Sequence, residues 1–229
     1  MHTAQERDLA ESRHASLPET TGQRLILHGV SWATYERLLA DFHDSHAAHF
    51  AYDQGVLEIM VLSYAHEKAN RLLQTLFEVI AAELDIDFEN AGSTTFKRAD
   101  LARGFEPDTC FYVHNVEQIR GKKEIDLTVD PPPDLVIEID VSSPSLNKFP
   151  LYAQVGIPEV WRYDGTTLTL FTLEHGEYLA QEASSVLPSL TGQVITRFLE
   201  DGQTLKRTVW FRNVQEWARQ HKEHLESAH

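Results

Sequence analysis

Apolar and polar residues repeat along this chain with two different periods, and the changes of period predict its elements. From Tyr64 to Leu84 the apolar positions Leu72/Leu73, Leu76/Phe77, Ile80/Ala81 and Leu84 recur every three or four residues, which lays a single stripe along a long helix. A shorter helix is predicted in "VSWATYERLLADFHDSH", where Ser31 is placed to cap and Trp32, Tyr35, Leu38, Leu39 and Phe42 keep helical spacing. "HFAYDQGVLEIMVLS" alternates with a period of two around Gln54-Gly55, the pattern of a tight β-hairpin. Extended pieces follow in "DIDFEN", "STTFKRAD" and "EPDTCFYV", then a charged loop, "RGKKEIDLTVDPPPD". "KFPLYAQVG" reads as a short helix with Gly156 past its end, "PEVWRYD" and "TLTLFTLEHGEYLA" as strands. Two closing helices are expected near Thr191–Glu200 and Thr208–His221. Helices alternating with several strands in this way indicate an α/β or α+β fold around a mixed sheet.

One strand breaks the ordinary pattern. In "DLVIEIDVSS", residues 134–143, Leu135, Ile137, Ile139 and Val141 hold one phase, while Asp134, Glu138 and Asp140 share the other with Val136. The three prolines at 131–133 exclude an earlier start to this strand. Side chains two apart on a strand project from one face, roughly 6.5 to 7 Å apart. At an effective dielectric of about 20, the Glu138 and Asp140 charges would repel by about 2.5 kcal/mol at that separation. A buried pair therefore needs a cation between its members, either Mg²⁺ with its preference for carboxylate and water oxygens or an Arg or Lys. On the solvated face of a half-exposed strand it would need neither.

Composition narrows the classes. The 229 residues suffice for one large domain, expected over 25–229, with a polar and disordered tail over 1–24. No stretch approaches the roughly 18 apolar residues of a membrane span, and the polar start lacks a secretory signal. A single cysteine, Cys110, excludes an intramolecular disulfide and a Cys-rich zinc site, so a reducing cytoplasm is the expected location. The formal net charge of −15 opposes polyanion binding over the surface as a whole. Local Lys/Arg clusters or a bound divalent cation can reverse that sign inside a cleft. The twelve histidines form no close metal-type pair in the sequence.

Two neighbours give the carboxylate strand a chemistry. Asp108 opens the strand predicted in "GFEPDTCFYV", and Lys148 falls at the first turn of the "KFPLYAQVG" helix, where a cation opposes the helix dipole. Two acids that hold Mg²⁺ and a nearby ammonium are the components of phosphodiester hydrolysis by metal-activated water. Cys110 has no His and Asn partners for nucleophilic work and reads as a core residue.

"YDQGVLEIM", "HEKANRLL", "GSTTFKR", "EPD", "PPPDLVIEIDVSSPS" and "KFPLYAQVGIPEVWRYD" occur in order, and together they resemble the Uma-type putative restriction endonuclease family of the PD-(D/E)XK nuclease superfamily. The likeness runs from about Leu25 to Leu205 and is densest over Pro131–Asp164. It implies a restriction-endonuclease-like core, a mixed β-sheet flanked by helices, and an Mg²⁺-dependent endonuclease acting on DNA, with Mn²⁺ as the natural substitute. By motif, Asp108 and Glu138 are the metal-binding acids. Where the superfamily pattern has Lys the chain has Asp140, so Lys148 is the nearest candidate for the cation, and Asp140 is read as a further metal ligand or a supporting group.

In the first turn of the long helix, where the superfamily often adds an acid, stand His66 and Glu67. Glu67 is taken as a candidate catalytic residue, although an exposed ion pair with Arg71 explains it equally, and His66 reads more readily as a core histidine. Asp134 reads as a turn residue. Lys97 and Arg98, and the hydroxyls of "SSPS", could face phosphate or be ordinary surface and turn chemistry. The alternatives to a nuclease are a catalytically silent module of the same fold that binds protein or nucleic acid, and a phosphoesterase with a small substrate. A homodimer is expected from the habit of related nucleases to pair and from "TVWFRNVQEWARQ", whose Val209, Trp210, Val214 and Trp217 need burial. Packing within the chain would serve them equally.

Overall fold

In a computed structural model the chain is described over residues 22–42, 48–140 and 146–227, by backbone alone over 223–227. The hairpin predicted around Gln54-Gly55 is its first sheet's centre. Strands β2 (Ala48–Asp53) and β3 (Val56–Val61) are joined by Gln54 and Gly55 at φ 46° and 98°, the paired left-handed conformation of a tight hairpin turn. Outside β3 lies β1 (Gln23–His28), which carries Gln23 and Arg24 out of the expected tail; the rest of that tail falls outside the described residues. On the other side follow the short β5 (Phe96–Arg98) and β6 (Arg103–Phe105), giving the antiparallel order β1-β3-β2-β6-β5. The helix α1 (Trp32–Asp41), capped by Ser31 through Thr34 N–H, places Tyr35 on this sheet, stacked 4.9 Å from Tyr52.

The second sheet is mixed. It runs β11 (Glu177–Gln181), β10 (Leu168–Glu174), β9 (Glu159–Tyr163), β8 (Leu135–Ile139), β7 (Thr109–Tyr112) and β4 (Glu89–Asn90), with β8 and β9 parallel and the other pairs antiparallel. The long helix α2 (Tyr64–Glu83), capped by Ser63, lays its predicted stripe on one face, where Leu73, Leu76, Phe77 and Ile80 meet Leu135, Ile137, Ile139 and Trp161. Each such side chain, fully buried, contributes roughly 1.5 to 3 kcal/mol. The same face is closed by α5 (Gly192–Thr204) and α6 (Arg207–Ser227), which bury Trp210 and Val214 completely. Those two residues therefore satisfy their apolar surface within the chain, while Val209 and Trp217, the others from which a dimer was expected, are half-buried.

Between β7 and β8 a single turn of helix, α3 (Val116–Ile119), precedes the charged loop. On the opposite face of the mixed sheet, Cys110, Val136 and Val160 pack against Phe96, Phe105 and the helix α4 (Phe149–Val155), which stops at Gly156 with φ 85°. Cys110 is fully buried, as its sequence context suggested, and burial pushes its thiol pKa up. The strand β8 is thus apolar on both sides. Its even phase, Val136 and then Glu138, looks towards α4. This is the mixed sheet flanked by helices that the chain's periodicity indicated.

Candidate functional site

Three elements converge at the upper end of β8. The register of β7 with β8 pairs Thr109 with Ile137, and its next step brings Asp108 opposite Glu138. Asp108 is buried, and its Oδ2 accepts the Ile139 backbone N–H at 2.7 Å while lying 3.1 Å from His66 Nε2. Its backbone carbonyl accepts from Asn70 Nδ2 at 2.9 Å, so two residues of α2's first turns fix the acid. Oδ1 is different. It lies 3.5 Å from His49 Nδ1, an ion-pair contact, and both atoms are buried with no hydrogen-bond partner among the described residues. Burial opposes the Asp108 charge, yet the His49 and His66 imidazoles hold its pKa far below the usual carboxylate range. In return Asp108 raises His66 against the opposing effect of burial.

Glu138 meets its cation from α4. Lys148 precedes that helix as its N-cap, and Nζ donates to Glu138 Oε2 at 2.7 Å, both side chains being largely buried. One turn on, the Tyr152 hydroxyl donates to Glu138 Oε1. Burial and the facing Asp108 charge raise the Glu138 pKa, with Lys148 acting against them; burial also disfavours the Lys148 charge, but Glu138 and Asp108 outweigh it and keep that pKa above its usual value. The sequence order that made Lys148 look misplaced for the helix dipole is explained by this partner.

Asp140 is held by arginines from two strands. Its Oδ1 accepts from Arg24 of β1 at 3.1 Å and its Oδ2 from Arg162 of β9 at 2.6 Å, so the charge that the sequence left open is met by two guanidinium groups. Arg24 also lies 3.9 Å from Glu58 Oε2, which accepts the Leu146 backbone N–H at 2.8 Å. Among the described residues no three His, Cys, Asp or Glu side chains are arranged to hold a metal. Asp108 and Glu138 alone do fit a hard cation that keeps water or phosphate on its other positions, since Oδ1 of Asp108 is a buried acceptor without a donor and a carboxylate such as Glu138 retains lone pairs beyond two hydrogen bonds.

The remaining candidates are placed as follows. Glu67 borders a cleft with Asp108 but pairs with Arg71 at 2.6 Å in an exposed ion pair. Asp134 is a buried clamp, accepting the backbone N–H groups of Val113 and Asn115 at 2.7 and 3.0 Å and the Asn115 amide at 2.8 Å. Arg98 is paired with Asp100, and "SSPS" falls outside the described residues. Sequence reading missed His49, Arg24, Glu58 and Arg162. A signal existed for His49 and Glu58, since each is a polar residue in a hairpin strand that is otherwise largely apolar. Arg24 had none, because nothing local ties β1 to β8.

Two clefts open at this place. One, of about 270 Å³, is lined by Glu138, Lys148, Tyr152, Asp140, Arg24 and Arg162 among others; the second is bordered by Asp108, His49, Asn70 and Glu67 among others. No described helix is long and apolar enough to cross a membrane.

A family model described as "Putative restriction endonuclease", Uma2, matches residues 32–206. No curated protein matches the sequence. Among solved structures the chain is similar to a putative nuclease belonging to DUF820 from Anabaena variabilis, at 14% identity over 66% of this chain and 90% of that one, with a TM-score of 0.46.

Proposed function

The chain belongs to the Uma2 family of putative restriction endonucleases, and from that premise we propose that it is an Mg²⁺-dependent endonuclease hydrolysing DNA phosphodiester bonds by direct attack of water. The observation that supports this most is the pairing of a donor-free buried oxygen on Asp108 with the Glu138–Lys148 pair on the facing strand. Asp108 and Glu138 would hold the ion. Bound there, Mg²⁺ would supply polarisation of the phosphoryl oxygen and a lower pKa for the attacking water, with Mn²⁺ able to replace it.

The protein's own contribution is positioning. His66 and the Ile139 N–H engage one oxygen of Asp108 and leave the other, buried beside His49 Nδ1, without a hydrogen-bond donor. Lys148 spends one N–H on Glu138 and keeps two for the attacking water or for the negative charge that grows on the phosphoryl oxygens. Tyr152 fixes the Glu138 carboxylate from its second oxygen. Cys110 is not set for covalent attack, because it is fully buried and its pKa is raised.

One observation favours the competing reading, a catalytically silent binding module of the same fold. Both Glu138 oxygens already have protein donors. Incubation of purified protein with supercoiled plasmid and Mg²⁺ separates the two. The nuclease reading expects nicked or linear products that EDTA abolishes and that Asp108→Ala does not form. Intact plasmid across a range of salt and divalent metals would leave the binding module.

A further inference from the structure

We propose that Arg162 is a DNA-phosphate-binding residue of the Glu138 cleft, held in place by Asp140 and receiving a phosphate beside the one cleaved. The inference rests on the nuclease reading above and adds a residue to it. In the parallel pairing of β8 with β9, Arg162 stands directly beside Glu138, one strand over and roughly 4.8 Å away in the backbone. Every other residue of β9 is buried, whereas the Arg162 side chain is 48% exposed and lines the same cleft as Lys148.

The ion pairs distinguish its role from that of Arg24. Arg24 and Asp140 are nearly buried, at 11% and 13% side-chain exposure, and Arg24 sits between two carboxylates, Asp140 and Glu58. That contact ties the hairpin sheet to the mixed sheet. A second guanidinium on Asp140 that is half exposed adds little to stability, since exposed ion pairs contribute little. What it does add is a fixed direction. Nη2 is anchored on Asp140 Oδ2, which leaves the remaining donors of a planar fork, Nε and Nη1, without partners among the described residues.

Charge points the same way. Three cations, Arg24, Arg162 and Lys148, line this cleft beside the two acids Glu138 and Asp140, so a phosphate approaching it meets less of the repulsion of a chain with a net charge of −15. The replacement of the motif Lys by Asp140 then has a consequence of its own. Lysine chemistry has moved to Lys148, and position 140 has become the seat of an arginine, with Asp140 as a positioning residue that acts through Arg162.

The test is the salt dependence of binding to a labelled DNA duplex, measured by fluorescence anisotropy with Ca²⁺ in place of Mg²⁺ to hold back cleavage. Arg162→Ala should lower affinity about tenfold at moderate salt and reduce the slope of log affinity against log salt by about one, the loss of a single phosphate contact. Arg162→Lys should restore the slope, and adding Asp140→Asn to Arg162→Ala should cause no further loss. Arg162→Gln, which keeps the side-chain stem, gives the same reading if alanine disturbs the strand, and Arg212→Ala on the distant α6 should behave as wild type. An unchanged slope and affinity in Arg162→Ala and Arg162→Gln, while wild type binds DNA, would overturn this assignment and leave the nuclease reading standing. Failure of the wild-type chain to bind DNA at any salt would overturn both.

Discussion

Lys148 Nζ lies 2.7 Å from Glu138 Oε2, although ten residues and the end of a strand separate them. The geometry accounts for a carboxylate in the interior phase of β8, since the cation that position 140 does not provide arrives from the N-cap of α4. Removing it leaves a largely buried carboxylate without its charge partner, at a cost of about 3 kcal/mol. Lys148→Ala should therefore lower the unfolding free energy by that amount, read as a lower urea midpoint. Under conditions where the variant remains folded, plasmid cleavage should fall by at least about a hundredfold.

Asp134 provides the contrast. It carries the same charge on the same strand phase, yet its acceptors are filled by Val113, Asn115 and the Asn115 amide, so it holds the β7 turn and nothing else. Asp134→Ala should destabilise the chain by roughly 2 to 3 kcal/mol through the unsatisfied N–H groups it leaves. If Asp108 and Glu138 hold the ion, Mn²⁺ should raise the melting temperature of this variant as much as that of the wild type, which thermal melts with and without the metal will read.

Much of this was legible beforehand where the signal is local. The stripe of α2, the Gln54-Gly55 hairpin, the stop at Gly156 and the turn role of Asp134 all follow from residues within a few positions of one another. That Asp108 lies opposite Glu138 follows from the register of two neighbouring strands, each of which the sequence marked as extended. What could not be read were partners brought by topology. Arg24 reaches Asp140 across 116 residues from the outer strand of the other sheet, and His49 reaches Asp108 from a hairpin whose sequence shows only an alternating pattern. The apolar C-terminal helix was ambiguous for a related reason: its stripe specifies burial but not whether its own core or a second copy provides it.

Gly104 tests the packing of the first sheet. A Cβ there would lie 2.3 Å from Tyr35 Oη and under 3 Å from the tyrosine ring, which is itself stacked on Tyr52. The Tyr35 side chain is buried and cannot swing away. Gly104→Ala should cost roughly 1 to 3 kcal/mol by overpacking, read as a lower midpoint in urea.

Glu67 should matter least among the acids named from the sequence. Its ion pair with Arg71 is exposed on both sides, at 39% and 71%, and such pairs are weakened by solvent. Glu67→Gln is expected to change stability by less than about 0.5 kcal/mol. Cleavage assays on the same protein should show a loss smaller than about tenfold, the size of a peripheral electrostatic effect.

The measurement closest to the central claim is a crystal soaked in Mn²⁺ and examined by anomalous scattering. The account predicts one strong peak shared by Asp108, through the Oδ1 that now has no donor, and Glu138, with Lys148 still beside Glu138 and Asp140 still held by its two arginines. A metal bound elsewhere, or no peak at these two acids at concentrations that saturate cleavage, would contradict it.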